Sequence, residues 1–164
     1  IGAYPGKEAE ERGQSSAIAH CIQEMMFLKV PIITILIGNG GSGGALALCV
    51  ANRIAILENA VLAVISPKAC ADILWKDIKK ESEAAKFLNM TSDVLFNTGI
   101  VDHIIAEPIG GAHENPQDVS ERIKKYLVQE LKVLTKLSAK KLVYQRQKKF
   151  ESISKFNGNM SNIK

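Results

Sequence analysis

The first half of the chain combines one amphipathic stretch with several short apolar runs. Within residues 13–28, apolar side chains recur every three or four positions, which predicts a helix with one apolar face. Residues 30–37 form an apolar run rich in β-branched side chains, which predicts a strand covered on both faces. Two further strands are predicted over residues 53–57 and 61–65. Only three residues separate these two strands, so no crossover helix fits between them.

The second half of the chain carries two clear helix start signals. Ser66 precedes Pro67 and Asn115 precedes Pro116, a pairing typical of an N-cap followed by the first helical residue. The predicted elements are a helix over 67–75, helices over 81–88 and 92–97 with Gly99 after them, a strand over 103–106, a long helix from Pro116, and a last helix from near Ser138. The apolar stripe of the long helix consists of Val119, Ile123, Leu127, Leu131 and Leu134. Strands that alternate with helices predict an α/β layered fold.

Composition and charge exclude several classes of protein. The 164 residues are 46% hydrophobic and 23% charged, which is typical of one ordered domain and not of a disordered chain. The longest apolar runs, residues 30–37 and 45–51, are far shorter than the roughly 20 residues of a membrane-spanning helix. No signal peptide is predicted at the start. Because the first residue is Ile and not Met, we expect a processed chain or a fragment.

Positive charge is concentrated at the end of the chain. Residues 139–164 carry seven Lys or Arg and one acidic residue, whereas the rest of the chain has a net charge of −2. We interpret this segment as a solvated helix face with a frayed end. Nucleic-acid binding is not expected, because few aromatic side chains are interleaved with the basic ones.

Cysteine and histidine spacing indicates neither a disulfide framework nor a metal site. The three cysteines lie far apart without a Cys-x-x-Cys pair, which is typical of thiols in a reducing compartment. The three histidines are equally dispersed, so no metal is expected on this chain. The residues concerned are Cys21, Cys49, Cys70, His20, His103 and His113.

A glycine-rich stretch over residues 38–44 (Gly-Asn-Gly-Gly-Ser-Gly-Gly) lies between a predicted strand and a predicted short helix over 45–50. Gly38, Gly40 and Gly43 match the dinucleotide-binding spacing, and Glu58 follows Gly38 by twenty residues. The motif alone is weak. The strand pair that follows it lacks the crossover helix of a nucleotide-binding fold, which argues against a dinucleotide.

Two other interpretations of this stretch concern Ser42 and the backbone. Ser42 would be a nucleophile at a tight turn if His103 or His113 supplied a base and Asp102 oriented it, but no spacing rule supports this arrangement. The alternative that Ser42 is the N-cap of the following helix is favoured. The backbone interpretation needs only amide N–H groups at a helix N-terminus, which can stabilise an oxyanion. The glycines could equally serve close packing of helix on sheet.

Several blocks of the sequence resemble the carboxyltransferase alpha subunit of the multi-subunit acetyl-CoA carboxylase. In order, these blocks are residues 2–6 (GAYPG), 9–15 (AEERGQS), 40–47 (GGSGGALA), 66–67 (SP), 70–71 (CA), 73–76 (ILWK) and 107–113 (EPIGGAH). The likeness covers roughly residues 2–135 and only the C-terminal half of that subunit. It implies the crotonase-like spiral of ββα units, here partial, with a carboxyltransferase part over residues 1–137 and a basic helix and tail over 138–164. The usual glutamate is replaced by Asn39, which leaves every backbone donor in place.

The resemblance implies transfer of a carboxyl group from carboxybiotin on a carrier protein to acetyl-CoA, giving malonyl-CoA. It assigns Gly43 and Gly44 as the catalytic backbone amides for the biotin oxygen. Residues expected at the substrate or biotin site are Gly41, Ser42 and Ala45 in the turn, and Gly2, Tyr4 and Gly6 in the wall beside the acyl site. No cofactor is expected on this chain itself, since biotin arrives on its carrier and zinc belongs to the partner beta subunit.

An obligate heteromer of alpha and beta subunits is expected, because half of a fold leaves apolar faces uncovered, and the resemblance implies an alpha2beta2 heterotetramer. The resemblance places the complex in the bacterial cytoplasm or the plastid stroma. The alternative is a subunit kept only as a non-catalytic assembly scaffold. A carboxyl-transfer assay with the full-length subunit and its partners separates the two.

Overall fold

The computed structural model describes residues 6–153, which form five short strands, eight α-helices and one short 3-10 helix. The strands are β1 (Ile33–Leu36), β2 (Asn39–Gly41), β3 (Arg53–Leu57), β4 (Val61–Ala63) and β5 (His103–Ile105). The helices are α1 (Lys7–Glu11), α2 (Gln14–Phe27), α3 (Ser42–Leu48), α4 (Pro67–Trp75), α5 (Glu81–Phe87), α6 (Ser92–Asn97), α7 (Pro116–Leu134) and α8 (Ala139–Ile153). The 3-10 helix Ile78–Lys80 joins α4 to α5.

The strands form two separate parallel sheets. One sheet has the order β1-β3-β5, with Leu36 opposite Ile56 and Ile56 opposite Ile104. The other pairs β2 with β4, so that Gly41 lies opposite Ala63. The chain therefore passes from the first sheet to the second after β1, and does so again after β3. A strand pair without a crossover helix is thus a ββ unit shared between two sheets, and the predicted α/β fold of ββα units is confirmed.

The core lies around β3, the central strand of the larger sheet. Ile54, Ala55 and Ile56 are buried on both faces, as expected for a central parallel strand covered by helices. Leu36, Leu95, Val101 and the α7 residue Tyr126 belong to the same buried cluster. The apolar strand β3 thereby fixes the positions of its neighbours β1 and β5 relative to the helices.

Several predicted boundaries agree with the structure because local chemistry determines them. The bounds of β3, α4 and α6 are those predicted. The Ser66 hydroxyl accepts a hydrogen bond from the Ala69 amide at 3.2 Å, and the Asn115 side chain accepts one from the Asp118 amide at 3.1 Å. Gly99 follows α6 with a φ of +75°, a conformation that favours glycine. Caps of this kind act over three or four residues, so sequence alone shows them.

The predicted stripe of α7 is correct at its ends and wrong at Leu131, which is 41% exposed. Tyr126 is buried in its place. The reason is geometric: positions spaced by four residues rotate about 40° per step around a helix with 3.6 residues per turn. By Leu131 the predicted stripe has left the core-facing side, and Leu134, three residues on, brings it back.

The prediction of a solvated basic helix is wrong for two residues of α8. Arg146 is completely buried, and the Lys149 side chain is only 11% exposed. Both side chains face the rest of the molecule, where they pair with polar groups. The exposure of α8 was predicted from its charge alone. A basic side chain is buried only where a tertiary partner accepts its hydrogen bonds, and the charge pattern does not show such a partner.

Many large apolar side chains are exposed in the part of the chain that the structure describes. Val64 is 78% exposed, Leu48 63% and Phe87 66%. Singly exposed apolar residues are ordinary, but several lie close in sequence here, on α4 to α5 and around α3. Among the described residues, no helix is both long and apolar enough to cross a membrane.

Candidate active site

The glycine-rich stretch is a sharp turn that links the two sheets to a helix. It contains all of β2 and the first turn of α3, so the helix begins at Ser42, three residues earlier than predicted. At Gly40, a Cβ atom would lie 2.9 Å from Leu36 Cδ2 and 3.0 Å from Leu62 Cδ1. Glycine therefore packs closely here, and a Cβ would force the ends of the two leucine side chains to shift. At Gly41 a Cβ would meet nothing within 4 Å, so the surface of the turn is open there.

Ser42 does not cap α3, and the N-cap prediction for Ser42 is wrong. The N-cap is Gly41, and the structure gives this helix no side-chain cap hydrogen bond. Ser42 is instead the first helical residue, with a φ of +53°. This left-handed conformation costs a non-glycine residue about 1–2 kcal/mol. Such strain at a turn is found disproportionately at functional sites.

The first turn of α3 presents backbone amides. An α-helix leaves its first four N–H groups without an intrahelical acceptor, and here these include Gly43 and Gly44. A Cβ at Gly43 would meet only the Ile18 side chain, at 3.5 Å. The buried Ala45 and Ala47 allow the helix to lie close to its neighbours. The arrangement can donate hydrogen bonds to an anion that approaches the turn.

Three clefts surround this turn. One of about 510 Å³ is lined by Ser42, Gly43 and mostly apolar side chains. A second of about 340 Å³ is lined by Gly41, Ser42 and Pro67. The third, of about 690 Å³, separates α2 from α3 and includes Gly44 and Ala45 in its lining. A ligand of moderate size therefore has room on several sides of the α3 N-terminus.

The predicted site residues fall into two groups. Residues 41–45 are consecutive in the turn, as the sequence requires. Gly6 is the N-cap of α1, and the described lining of the three clefts around the turn does not include it. Gly2 and Tyr4 lie outside the described residues, so their places in the wall remain predictions.

The dinucleotide interpretation fails on Glu58. Its carboxylate accepts a hydrogen bond from the Glu107 amide at 3.0 Å, and thus joins two loops. The chain after β3 leads into β4 and not into a crossover helix. Neither Glu58 nor the segment after β3 therefore has the role that a dinucleotide-binding fold would give it.

The serine-nucleophile interpretation also lacks its partners. The described clefts lined by Ser42 contain no histidine. The His103 ring stacks on Tyr126 with centroids 4.8 Å apart, and His113 lies 3.2 Å from the Glu114 carboxylate. Asp102 accepts a hydrogen bond from the Ile54 amide at 2.7 Å. The structure therefore does not bring the four residues together.

The loop after β5 is held by one carboxylate. Glu107 accepts hydrogen bonds from the Asn59 amide at 2.9 Å and the Ala112 amide at 2.7 Å. Burial acts to raise the pKa of Glu107, but these hydrogen bonds outweigh burial and hold the pKa below its ordinary value. The carboxylate is therefore a structural brace that fixes the loop of residues 107–113.

The sequence did not indicate that the α8 side chains Arg146 and Lys149 reach the residues that precede β3 and β5. Arg146 donates to Asn52 and Lys149 pairs with Asp102, across more than 45 residues of sequence in each case. No local pattern encodes such long-range partners. The structure also offers no group of three or more metal-binding side chains among residues 6–153.

Comparison with solved structures identifies the class of fold. A Pseudomonas malonate decarboxylase hetero-tetramer in complex with malonate superimposes with a TM-score of 0.68 and 20% identity, covering 87% of this chain and 55% of that one. The transcarboxylase 12S structure with methylmalonyl-coenzyme A and methylmalonic acid bound superimposes with a TM-score of 0.65 and 18% identity, covering 81% of this chain and 25% of that one. An enoyl-CoA hydratase/isomerase from Marinobacter aquaeolei superimposes with a TM-score of 0.54 and 14% identity, covering 98% of this chain and 59% of that one. The chain has a crotonase-like fold.

Sequence comparison identifies the family within that fold. Residues 1–154 match the family described as acetyl co-enzyme A carboxylase carboxyltransferase-like, and the chain belongs to this family. The acetyl-coenzyme A carboxylase carboxyl transferase subunit alpha of Xanthomonas campestris is 49% identical over 157 residues, 96% of this chain and 49% of the relative. The Thermus thermophilus subunit is 49% identical over 155 residues, which cover 94% of this chain and 50% of that relative. The chain thus spans about half the length of these relatives.

Proposed function

We propose that this chain is the part of an acetyl-CoA carboxylase carboxyltransferase alpha subunit that binds the biotin carboxyl donor. The reaction would move a carboxyl group from carboxybiotin on a separate carrier protein to acetyl-CoA and yield malonyl-CoA. The observation that carries the proposal is the family match across the whole glycine turn, together with amides at the start of α3. The relatives are named for this activity.

The chemistry explains why backbone amides would suffice. As the carboxyl group leaves, negative charge develops on the ureido oxygen of the donor, and the Gly43 and Gly44 amides would donate hydrogen bonds to it. In well-studied oxyanion holes, one such donor contributes about 3–4 kcal/mol to transition-state stabilisation. The start of the α3 dipole favours the same charge.

The protons balance without a side-chain base. When the donor N–C bond breaks, carbon dioxide is released and the ureido group becomes anionic. That anion can take the methyl proton of acetyl-CoA, and the resulting enolate carbon forms a bond to carbon dioxide. The clefts lined by Ser42 and Gly43 contain no described histidine or carboxylate, in agreement with this route.

The remaining groups would come from partners. We place the oxyanion hole for the thioester and a zinc site on a beta subunit, and expect an alpha2beta2 heterotetramer in the bacterial cytoplasm or plastid stroma. The exposed apolar side chains around α3 and from α4 to α5 support a partner surface. Trp75 belongs to the latter region, with its ring centroid 6.2 Å from that of Phe87.

The test is carboxyl transfer by the full-length protein. The full-length chain is mixed with the beta subunit, acetyl-CoA and carboxylated biotin carrier, and malonyl-CoA is measured. Formation that requires this chain supports the enzyme. If the chain assembles with the beta subunit but malonyl-CoA does not form, the subunit is a scaffold and the proposal is wrong.

A further inference from the structure

Two buried cations anchor α8 to the larger sheet. The Arg146 Nη1 atom donates to Asn52 Oδ1 at 2.6 Å and to the Val30 carbonyl at 3.0 Å. Asn52 donates in return to the Leu142 carbonyl at 3.0 Å. Arg146 is completely buried, and these neutral acceptors replace only part of its water shell, because its Nη2 atom is buried without a hydrogen-bond partner in the described structure. Burial of an arginine without a carboxylate is costly, and is retained where it fixes one arrangement.

The second anchor lies one helical turn further along α8. The Lys149 ammonium pairs with the Asp102 carboxylate, and the two side chains are 11% and 32% exposed. Asp102 also accepts a hydrogen bond from the Ile54 amide at 2.7 Å, so its position is fixed by β3. Lys149 thereby ties α8 to the centre of the larger sheet.

The residues that follow these anchors form a wall of the apolar cavity. Phe150 and Ile153 line the cavity of about 510 Å³, whose lining also includes Ser42, Gly43 and Cys49. Phe150 is adjacent to Lys149 in sequence and packs against the buried core. The position of this wall therefore depends on the two anchors.

We propose that Arg146 and Lys149 are positioning residues that hold α8 so that Phe150 and Ile153 close the apolar cavity beside the glycine turn. In the closed state the cavity receives the apolar flank of the reactant whose oxygen binds at Gly43. This second statement rests on the proposed function, and the first does not. Because two cations hold α8 and only the end of the helix covers the cavity, that end can move away from the cavity without unfolding of the core.

Closure is tested by the reactivity of Cys49, which is 4% exposed and lines the cavity. The full-length protein is alkylated with iodoacetamide, and the peptide containing Cys49 is followed by mass spectrometry. Lys149→Gln and Asp102→Asn should each accelerate alkylation about tenfold or more, because each removes a partly buried ionic hydrogen bond. Lys140→Gln is the control, since it removes the same charge from an exposed site on α8.

The sign of this effect separates opening from electrostatics. Burial raises the pKa of Cys49, and the Lys149 charge lowers it. Loss of that charge alone would leave less thiolate and slow alkylation. Faster alkylation of Lys149→Gln therefore reports access, whereas Asp102→Asn keeps the Lys149 charge, so its rate does not separate the two effects. Unchanged or slower alkylation in Lys149→Gln would overturn the proposal.

The role in the reaction is tested by the reverse assay, in which malonyl-CoA transfers its carboxyl group to free biotin. With the beta subunit present, Lys149→Gln and Phe150→Ala should raise the KM for biotin about three- to tenfold while kcat changes less. Lys140→Gln should leave both constants unchanged. Accelerated alkylation with an unchanged KM would overturn the role in binding. If wild-type protein transfers no carboxyl group, the proposed function fails, and alkylation still decides whether the anchors close the cavity.

Discussion

At the scale of single residues, neighbouring glycines of the turn differ in what surrounds them. Gly41→Ala adds a methyl group to open space at an extended φ of −136°, so the free energy of unfolding should change by less than about 0.5 kcal/mol. Carboxyl transfer should fall, because the methyl group occupies the mouth of the cleft. Chemical denaturation and the malonyl-CoA assay measure the two effects on the full-length protein.

Gly40→Ala is the matched comparison for that prediction. Its methyl group would meet Leu36 and Leu62 at about 3 Å, so unfolding should become about 1 kcal/mol easier. If Gly41→Ala is instead the more destabilising change, or leaves transfer intact, the open face of the turn is not where a reactant binds.

Ser42 offers a direct measure of strain in the turn. Because its φ is +53°, Ser42→Gly should stabilise the protein by about 0.5–1 kcal/mol, after the greater freedom of glycine in the unfolded chain is allowed for. Ser42→Ala keeps the strain and should bring no such gain. Thermal unfolding of the two variants decides the point, and a Ser42→Gly variant no more stable than Ser42→Ala would show that the left-handed conformation is not strained.

At the scale of elements, the loop brace at Glu107 predicts a pH dependence. Its folded pKa lies below the ordinary 4.5, so the ionised form stabilises the fold above that value. This contribution should be lost as the pH falls below 4.5 and through the lower folded pKa. Urea midpoints measured between pH 3 and 7 should therefore decline at the acid end more steeply for wild type than for Glu107→Gln. Parallel curves would contradict the brace.

How far the elements could be predicted from sequence depended on the range of the interactions that form them. The N-caps Ser66 and Asn115 act on amides three residues away, and the helices they begin were predicted. The β-branched run that contains β1 was equally clear. The ββα units followed only from the family resemblance, and the split of each strand pair between two sheets was not predicted, because it depends on the pairing of distant strands.

The candidate site was only partly visible in the sequence. The glycine turn is a compact local motif, and residues 41–45 were predicted together. The start of α3 was not, since glycine has a low helix propensity and tertiary packing overrides it here. The anchors Arg146 and Lys149 of α8 gave no signal, because a buried cation differs from an exposed one only in its distant partners.

At the scale of the whole molecule, the exposed apolar side chains predict association. Val64, Leu48 and Phe87 are each more than 60% exposed in the chain alone. We therefore expect residues 1–164 in isolation to self-associate at micromolar concentration, whereas the full-length chain bound to its beta partner remains dispersed. Sedimentation measures both. A cooperative, monomeric thermal transition of the isolated segment would contradict this expectation.

In the proposed reaction, a backbone amide at the start of α3 stabilises charge during carboxyl transfer. Gly44 lies in the first helical turn, where its N–H has no intrahelical acceptor, so Gly44→Pro removes the donor without breaking the helix ladder. Gly44→Ala is the control, because it adds bulk and keeps the N–H. Binding of each variant to the beta subunit establishes that both are folded.

The decisive measurement is kcat for malonyl-CoA formation by the full-length Gly44→Pro and Gly44→Ala variants with the beta subunit. The backbone mechanism predicts a kcat about 10²–10³-fold lower for Gly44→Pro than for Gly44→Ala, with a smaller change in KM for acetyl-CoA, because the donor acts on charge formed in the transition state. Ser42→Ala should retain most of the activity. Equal kcat values for the two Gly44 variants, or loss of turnover only in Ser42→Ala, would contradict the backbone mechanism.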